Sequence, residues 1–197
     1  MDSQLKTPRH IAVILDGNRR YARKKGLEFW KGHEAGAEKV RELLRWCQEF
    51  GIRELTLYTF STENFNRSKI EVEFLMSLLK REFNRLKDSK EIHENKVRIN
   101  VIGNPSLFSK DVQQIFREIM EKTKDYDGYA LNFALGYGSR EEITQAVKKI
   151  AEKAAKGEIG IEDINEELIS QNLYLKNNPE LLIRPGGEKR ISNFLLW

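Results

Sequence analysis

An aspartate at the end of an apolar run, with five cationic side chains close behind it, raises the first chemical question. Residues 11–15, IAVIL, have the make-up of a buried strand, and they run into Asp16-Gly17-Asn18 and then Arg19, Arg20, Arg23, Lys24 and Lys25. Gly17 permits an unusual backbone turn, and Asn18 can cap a following helix whose first N–H groups favour an anion. Arg19 and Arg20 add fixed positive charge. A carboxylate beside such a site repels phosphate unless a divalent cation lies between them, so the pairing points to Mg²⁺ and a diphosphate. The same residues also fit a strand-terminal aspartate capping a helix whose basic face is solvated.

Two further stretches have the same form. The run LTLYTF, 55–60, leads into S-T-E-N-F-N-R, where Ser61, Asn64 and Arg67 are placed to orient a polar group or simply to form a turn. The run LLI leads into Arg184-Pro-Gly-Gly-Glu-Lys-Arg190-Ile-Ser192, whose glycines expose N–H groups beside two arginines and a hydroxyl, as a second phosphate site would require. A surface turn accounts equally well for Pro-Gly-Gly, but less well for all three stretches beginning where a strand stops.

The elements that must position these residues alternate along the chain. Strand-like runs at 11–15, 55–60, 97–103, 129–135 and 181–184 are separated by helical runs at 32–51, 68–86, near 109–124 and 139–157. That order predicts one α/β domain over residues 1–197 with a mainly parallel sheet, whose ligands bind outside the carboxyl ends of the strands. Ser68 with Glu71 and Ser139 with Glu142 fit capping boxes, Gly51 and Gly157 fit helix C-termini, and the polar stretch 87–96, which includes His93, reads as a surface loop. Spread along the 197 residues, 34 basic and 30 acidic side chains give a net charge of +4 and no bulk attraction to nucleic acid. The one cysteine, Cys47, excludes an internal disulfide and a multi-thiolate metal cluster. No run approaches the roughly 20 apolar residues of a membrane span, and the polar start lacks a secretory signal, so a cytoplasmic protein is expected. His10 reads as structural.

The ordered set DGNRRYA, GHEAG, FSTENFNRSKIEV, GYGSR and LIRPGGEKRISNFLLW resembles the cis-prenyltransferases over residues 10–197, in wording nearer the archaeal and eukaryotic members. The resemblance implies a mostly parallel central sheet surrounded by helices, a hydrophobic tunnel, a homodimer, and peripheral membrane contact through a lipid product. It implies a Mg²⁺-dependent condensation of isopentenyl diphosphate with an allylic prenyl diphosphate to give a Z-polyprenyl diphosphate. Asp16, as metal ligand, and Asn64 take catalytic positions. Gly17, Asn18, Arg19, Arg20 and His33 match the allylic diphosphate site, Ser61 and Arg67 the loop that places the reacting ends, and Arg184, Arg190 and Ser192 the isopentenyl diphosphate site. Phe74, Leu75, Leu78, Leu79 and Phe83 supply a tunnel face, and Tyr129 matches a position near its deep end. Phe29, Pro185 and Gly136 depart from the usual arginine, threonine or serine, and asparagine. Family chains continue past FLLW into a segment with a second metal-binding glutamate and a basic tail, so the chain as it stands is expected to bind an allylic diphosphate and to elongate it poorly. The alternative reading is a non-catalytic subunit of the same fold; a dinucleotide-binding fold lacks its G-x-G-x-x-G segment here.

Overall fold

The computed structural model describes residues 6–197. Strands His10–Ile14 (β1), Glu54–Ser61 (β2), Val97–Gly103 (β3), Tyr129–Tyr137 (β4) and Leu181–Ile183 (β5) form one sheet in the order β3-β4-β2-β1-β5, every neighbouring pair parallel. Parallel neighbours need crossovers. Helices Asn18–Lys24 (α1), Phe29–Glu49 (α2), Lys69–Lys87 (α3), Lys90–Glu94 (α4), Lys110–Thr123 (α5), Ser139–Ala155 (α6) and Glu166–Gln171 (α7) supply them. The parallel arrangement brings the carboxyl ends of all five strands to one rim, where Asp16, Ser61 and Arg184 follow β1, end β2 and follow β5.

Side chains alternate between the two faces of the sheet. Ile11, Val13, Leu55, Leu57, Ile99, Leu131 and Phe133 join the larger core, under α2, α3 and α5, with Phe83, Phe116 and Ile119. Ala12, Ile14, Tyr58, Ile102 and Ala134 face the other way and pack with Tyr137 and Phe194. Helices α2 and α6 end as expected: the Gly51 and Ile52 N–H groups donate to Gln48 and Cys47 carbonyls, and those of Gly157 and Glu158 to Ala154 and Lys153, the bonding pattern of a Schellman cap. Burial pushes the Cys47 thiol up to about 11, which leaves it as inert packing.

Two local expectations are corrected. The stretch 87–96 is not an open loop but contains α4; Ile92 is buried, while His93 bonds the Tyr126 hydroxyl through Nδ1 at 2.9 Å and the Lys87 carbonyl through Nε2 at 2.8 Å. One buried isoleucine anchors a turn whose other side chains are polar. Ser139 and Glu142 form no capping box, because Ser139 is the first helical residue and accepts from the Leu196 N–H at 2.9 Å, while Glu142 accepts from the Tyr137 hydroxyl and from the Tyr174 N–H at 2.8 Å. Tyr129 lies at the opposite end of β4 from the rim, with the Arg53 guanidinium 5.2 Å from its ring centroid.

The second face carries a buried polar row. Thr56, Asn132 and Asn100 stand in register across β2, β4 and β3; Asn100 Nδ2 donates to Asn132 Oδ1 at 2.8 Å, and Asn132 Nδ2 donates to Thr56 Oγ1 at 3.0 Å. His10 closes the row, its Nε2 2.8 Å from Thr56 Oγ1 and its Nδ1 3.1 Å from the Asn177 carbonyl. A carbonyl can only accept, so Nδ1 holds the proton and Nε2 accepts from the threonine hydroxyl. Burial lowers the His10 pKa from 6.5 against the opposing pull of Glu54. A histidine held neutral in this way contributes stability above its unfolded pKa, and that contribution is lost as pH falls through the folded one. The melting temperature should therefore drop between pH 7 and 5, and His10→Gln should flatten that slope while lowering the midpoint at pH 7; an unaltered slope would take His10 out of the titration.

Candidate active site

Gly17, at φ 88°, turns the chain out of β1 and is the residue preceding α1, a position where a β-carbon would be strained. Asn18 is therefore the first helical residue and not the cap, and its amide lies against Gly36 of α2. Asp16 is drawn toward the last strand: Arg184 Nε donates to its Oδ2 at 2.8 Å, with both side chains largely buried. Arg184 Nη1 also donates to Ser192 Oγ at 2.9 Å and to the Arg190 carbonyl. The loop after β5 packs so closely that a β-carbon at Gly186 would overlap the Asp16 carboxylate. Ser192 and Asn193 adopt positive φ values of 50° and 59°. Tertiary bonds hold them there, since the Ser139 N–H donates to the Asn193 carbonyl at 2.8 Å and the Arg140 N–H to Asn193 Oδ1 at 3.0 Å. Arg20 donates to Glu188 at 3.1 Å and lies 3.7 Å from Asp16, and Arg190 donates to the other oxygen of Glu188 at 2.6 Å.

Glu71 is a second centre that the sequence marked only as part of a capping box. The Ser68 half of that box is present, Oγ accepting from the Glu71 N–H at 3.4 Å. The carboxylate turns inward instead. Buried, it accepts from Arg67 at 2.8 Å and from His33 Nε2 at 3.3 Å, and Arg19 stands 3.8 Å away. Burial lowers the His33 pKa despite Glu71, helped by Arg67 and Arg19, so the ring is a neutral donor near pH 7. Phe29 packs edge-on to His33 and Phe74, which explains part of that burial and gives the position an apolar function. A bulge where β2 pairs with β4 ends the strand at Ser61, whose N–H donates to Asn64 Oδ1 at 3.0 Å.

From this rim a cavity of about 1860 Å³ runs between α2, α3 and the sheet. Its mouth carries Asp16, Gly17, Asn18, Arg20, His33, Ser61, Asn64, Arg67, Arg184, Arg190 and Ser192; Arg19 alone of the expected site residues lies outside, tied to Glu71. Val13, Leu15 and Phe133 of the sheet side, Val40, Leu43 and Leu44 of α2, and Leu75, Leu78, Leu79 and Phe83 of α3 form its walls. Phe74, expected on that face, packs on Phe29 instead, and Tyr129 does not reach the cavity. A row of cations at the mouth of a deep apolar channel suits a molecule with an anionic head and a long hydrocarbon tail.

The model of the family described as putative undecaprenyl diphosphate synthase matches residues 14–197. The chain belongs to the cis-prenyltransferase family. Among curated cis-prenyltransferases, the geranylgeranyl-diphosphate-specific tritrans,polycis-undecaprenyl-diphosphate synthases of Methanocaldococcus jannaschii and Pyrococcus abyssi are each 50% identical to it over 96% of the chain and 69% and 73% of their own lengths. Lavandulyl diphosphate synthase from Lavandula x intermedia, solved with dimethylallyl diphosphate, superposes with a TM-score of 0.89 at 33% identity, covering 97% of this chain and 83% of that one. A probable undecaprenyl diphosphate synthase from Campylobacter jejuni gives 0.77 at 35% identity, covering 96% and 80%. Gly136, where other cis-prenyltransferases commonly have asparagine, has a φ of 57°, a region that glycine and asparagine both tolerate.

Glu71 thus holds His33 and Arg67 at the mouth of the cavity, with Arg19 beside it, without itself reaching the cavity. Charge-assisted hydrogen bonds contribute about 1.5–3 kcal/mol each, so Glu71→Gln should lower kcat/KM for prenyl transfer by roughly tenfold or more. Wild-type kinetics in a normally melting Glu71→Gln protein would confine Glu71 to helix capping.

Proposed function

We propose that this enzyme condenses isopentenyl diphosphate with an allylic prenyl diphosphate, geranylgeranyl diphosphate being favoured, to build a Z-polyprenyl diphosphate of the lipid-carrier type. The observation that carries the reading is the joining of two arginine-bearing loops at Asp16 over one apolar cavity of about 1860 Å³. The archaeal relatives at 50% identity, named as geranylgeranyl-diphosphate specific, support that primer.

Arg20 and His33, beside the Gly17–Asn18 turn, bind the allylic diphosphate, while Arg184, Arg190 and Ser192 bind that of isopentenyl diphosphate. Ser61, Asn64 and Arg67 hold the reacting ends between them. The C–O bond to the allylic diphosphate breaks, the isopentenyl double bond supplies the electron pair for the new C–C bond, and a proton is lost to leave the Z double bond. Asn64 is an amide and no base, so a diphosphate oxygen or water accepts that proton. Cationic side chains oppose the negative charge that grows on the departing diphosphate, and the apolar walls exclude water from the electron-deficient carbon.

Asp16 fits a Mg²⁺ site of limited size. Its Oδ1 is buried with no hydrogen-bond partner among the described residues, and among these no group of three or more metal-ligating side chains is assembled. One carboxylate with substrate oxygens and waters is a known manner of holding Mg²⁺. Bound there, the ion would offset diphosphate charge and ease its departure. The homodimer and the peripheral membrane contact belong to the same reading; the exposed apolar edge strand β5 favours association, and among the described residues no helix is long and apolar enough to cross a membrane.

Radiolabelled isopentenyl diphosphate with each allylic primer, with and without Mg²⁺, tests the reading directly; absence of incorporation with every primer would count against it. Asp16→Ala should reduce turnover far more than primer binding. Arg190→Ala should raise KM for isopentenyl diphosphate by about tenfold with little change for the primer. Arg184→Ala should impair turnover as well, because it also frees Asp16. Equal shifts in both KM values on changing Arg190 would refute its assignment to one substrate.

A further inference from the structure

Backbone strain gathers in the segment after β5. Ser192, Asn193 and Leu195 adopt positive φ values of 50°, 59° and 46°, and among the described residues Lys96 is the one other non-glycine residue that does so. Such a conformation persists only where its surroundings over-determine it. Bonds from the start of α6 hold Asn193, but the Ser192 carbonyl has a different partner. Tyr58 of β2 donates its hydroxyl to that carbonyl at 3.3 Å and shares the proton with the Tyr137 carbonyl at 3.2 Å; among the described residues no other donor reaches the Ser192 carbonyl. The Tyr58 ring lies flat on Phe194, with centroids 4.4 Å apart and planes 8° from parallel, and Tyr137 meets both rings edge-on. All three rings are buried.

The bulge in β2 keeps Tyr58 for this contact. Unbroken alternation would put Tyr58 and Phe60 on one face of the sheet, but the register shifts between them, so Phe60 packs in the larger core with Leu57 while Tyr58 faces the other way. One strand end therefore serves the core with one ring and the loop after β5 with the other.

Resting on the prenyl diphosphate reading above, we propose that Tyr58 is a positioning residue for the isopentenyl diphosphate site, its hydroxyl holding the Ser192 peptide in the left-handed conformation that turns Ser192 Oγ toward Arg184 Nη1. Released, Ser192 would relax to the right-handed or extended backbone that a residue with a β-carbon prefers, and its Oγ would leave the 2.9 Å contact with Arg184. Arg184 keeps its separate Nε bond to Asp16, so the allylic side of the mouth is spared.

Steady-state kinetics of Tyr58→Phe test this, because the change keeps the stacked ring and removes only the hydroxyl. KM for isopentenyl diphosphate should rise about fivefold, the loss of one hydrogen bond that orders the site, while KM for the allylic primer holds and kcat changes less than the isopentenyl KM. His10→Gln loosens the same face of the sheet at the far end of β1 and serves as the control: it should lower the melting midpoint and leave both KM values alone. An unchanged isopentenyl KM in Tyr58→Phe, equal shifts for both substrates, or the same shift in His10→Gln would overturn the proposal and leave the family reading intact. A wild-type chain that incorporates no isopentenyl unit with any primer would instead count against the prenyl-transfer reading, and this inference would fall with it.

Discussion

The 2.8 Å contact between Arg184 and Asp16 is the bond on which the rest of the site depends. It joins the residue that leaves the first strand to the residue that leaves the last, 168 positions later. Because both side chains are largely buried, separating them would leave a desolvated charge behind, at a cost of about 3–5 kcal/mol in comparable cases. The pair therefore fixes the Pro-Gly-Gly loop over the Asp-Gly-Asn turn, which brings Arg20, Glu188 and Arg190 together. These cations are balanced by the carboxylates of Asp16 and Glu188.

The second constraint is the parallel sheet. Each strand end delivers a different stretch of sequence to the same rim, so residues more than a hundred positions apart become neighbours through topology alone. The buried Thr56-Asn132-Asn100 row reinforces the register on which this depends, since a slip of one residue would turn these amides toward the apolar core. The larger core lies on the opposite face, under α3, α5 and the Val40–Cys47 half of α2.

Much of this was legible in the chain. Alternating strand and helix patterns, with polar residues where each strand stops, foretold the sheet and the gathering of Asp16, Ser61 and Arg184, because strand direction decides which ends meet. What stayed hidden depends on partners distant in sequence. Glu71 followed a serine by three residues and so looked like a cap, and nothing local shows that His33 and Arg67 take its carboxylate inward. Ser139 and Glu142 misled for the same reason, their polar groups being claimed by the segment at 174–196. The anchoring of 87–96 rests on a single isoleucine, too weak a period to register as a helix. Tyr129 stands at the end of β4 away from the rim, but its ring packs under the Arg53 guanidinium and not along the cavity, a contact made across two strands.

The partial burial of α2 also bears on how such an enzyme can diversify. Of its 21 residues only Gly32, His33 and Cys47 are fully buried, with Val40, Leu43 and Leu44 half-buried against the core, and substitutions at exposed positions usually change stability by no more than about 0.5 kcal/mol. Its half-buried positions can therefore vary at a smaller cost to the fold than the fully buried residues of the sheet. Cavity wall and core share Val13, Leu79, Phe83 and Phe133, so the two roles separate only along α2. A lineage could drift toward a new hydrocarbon length through nearly neutral steps, with the chemistry at the strand ends left untouched.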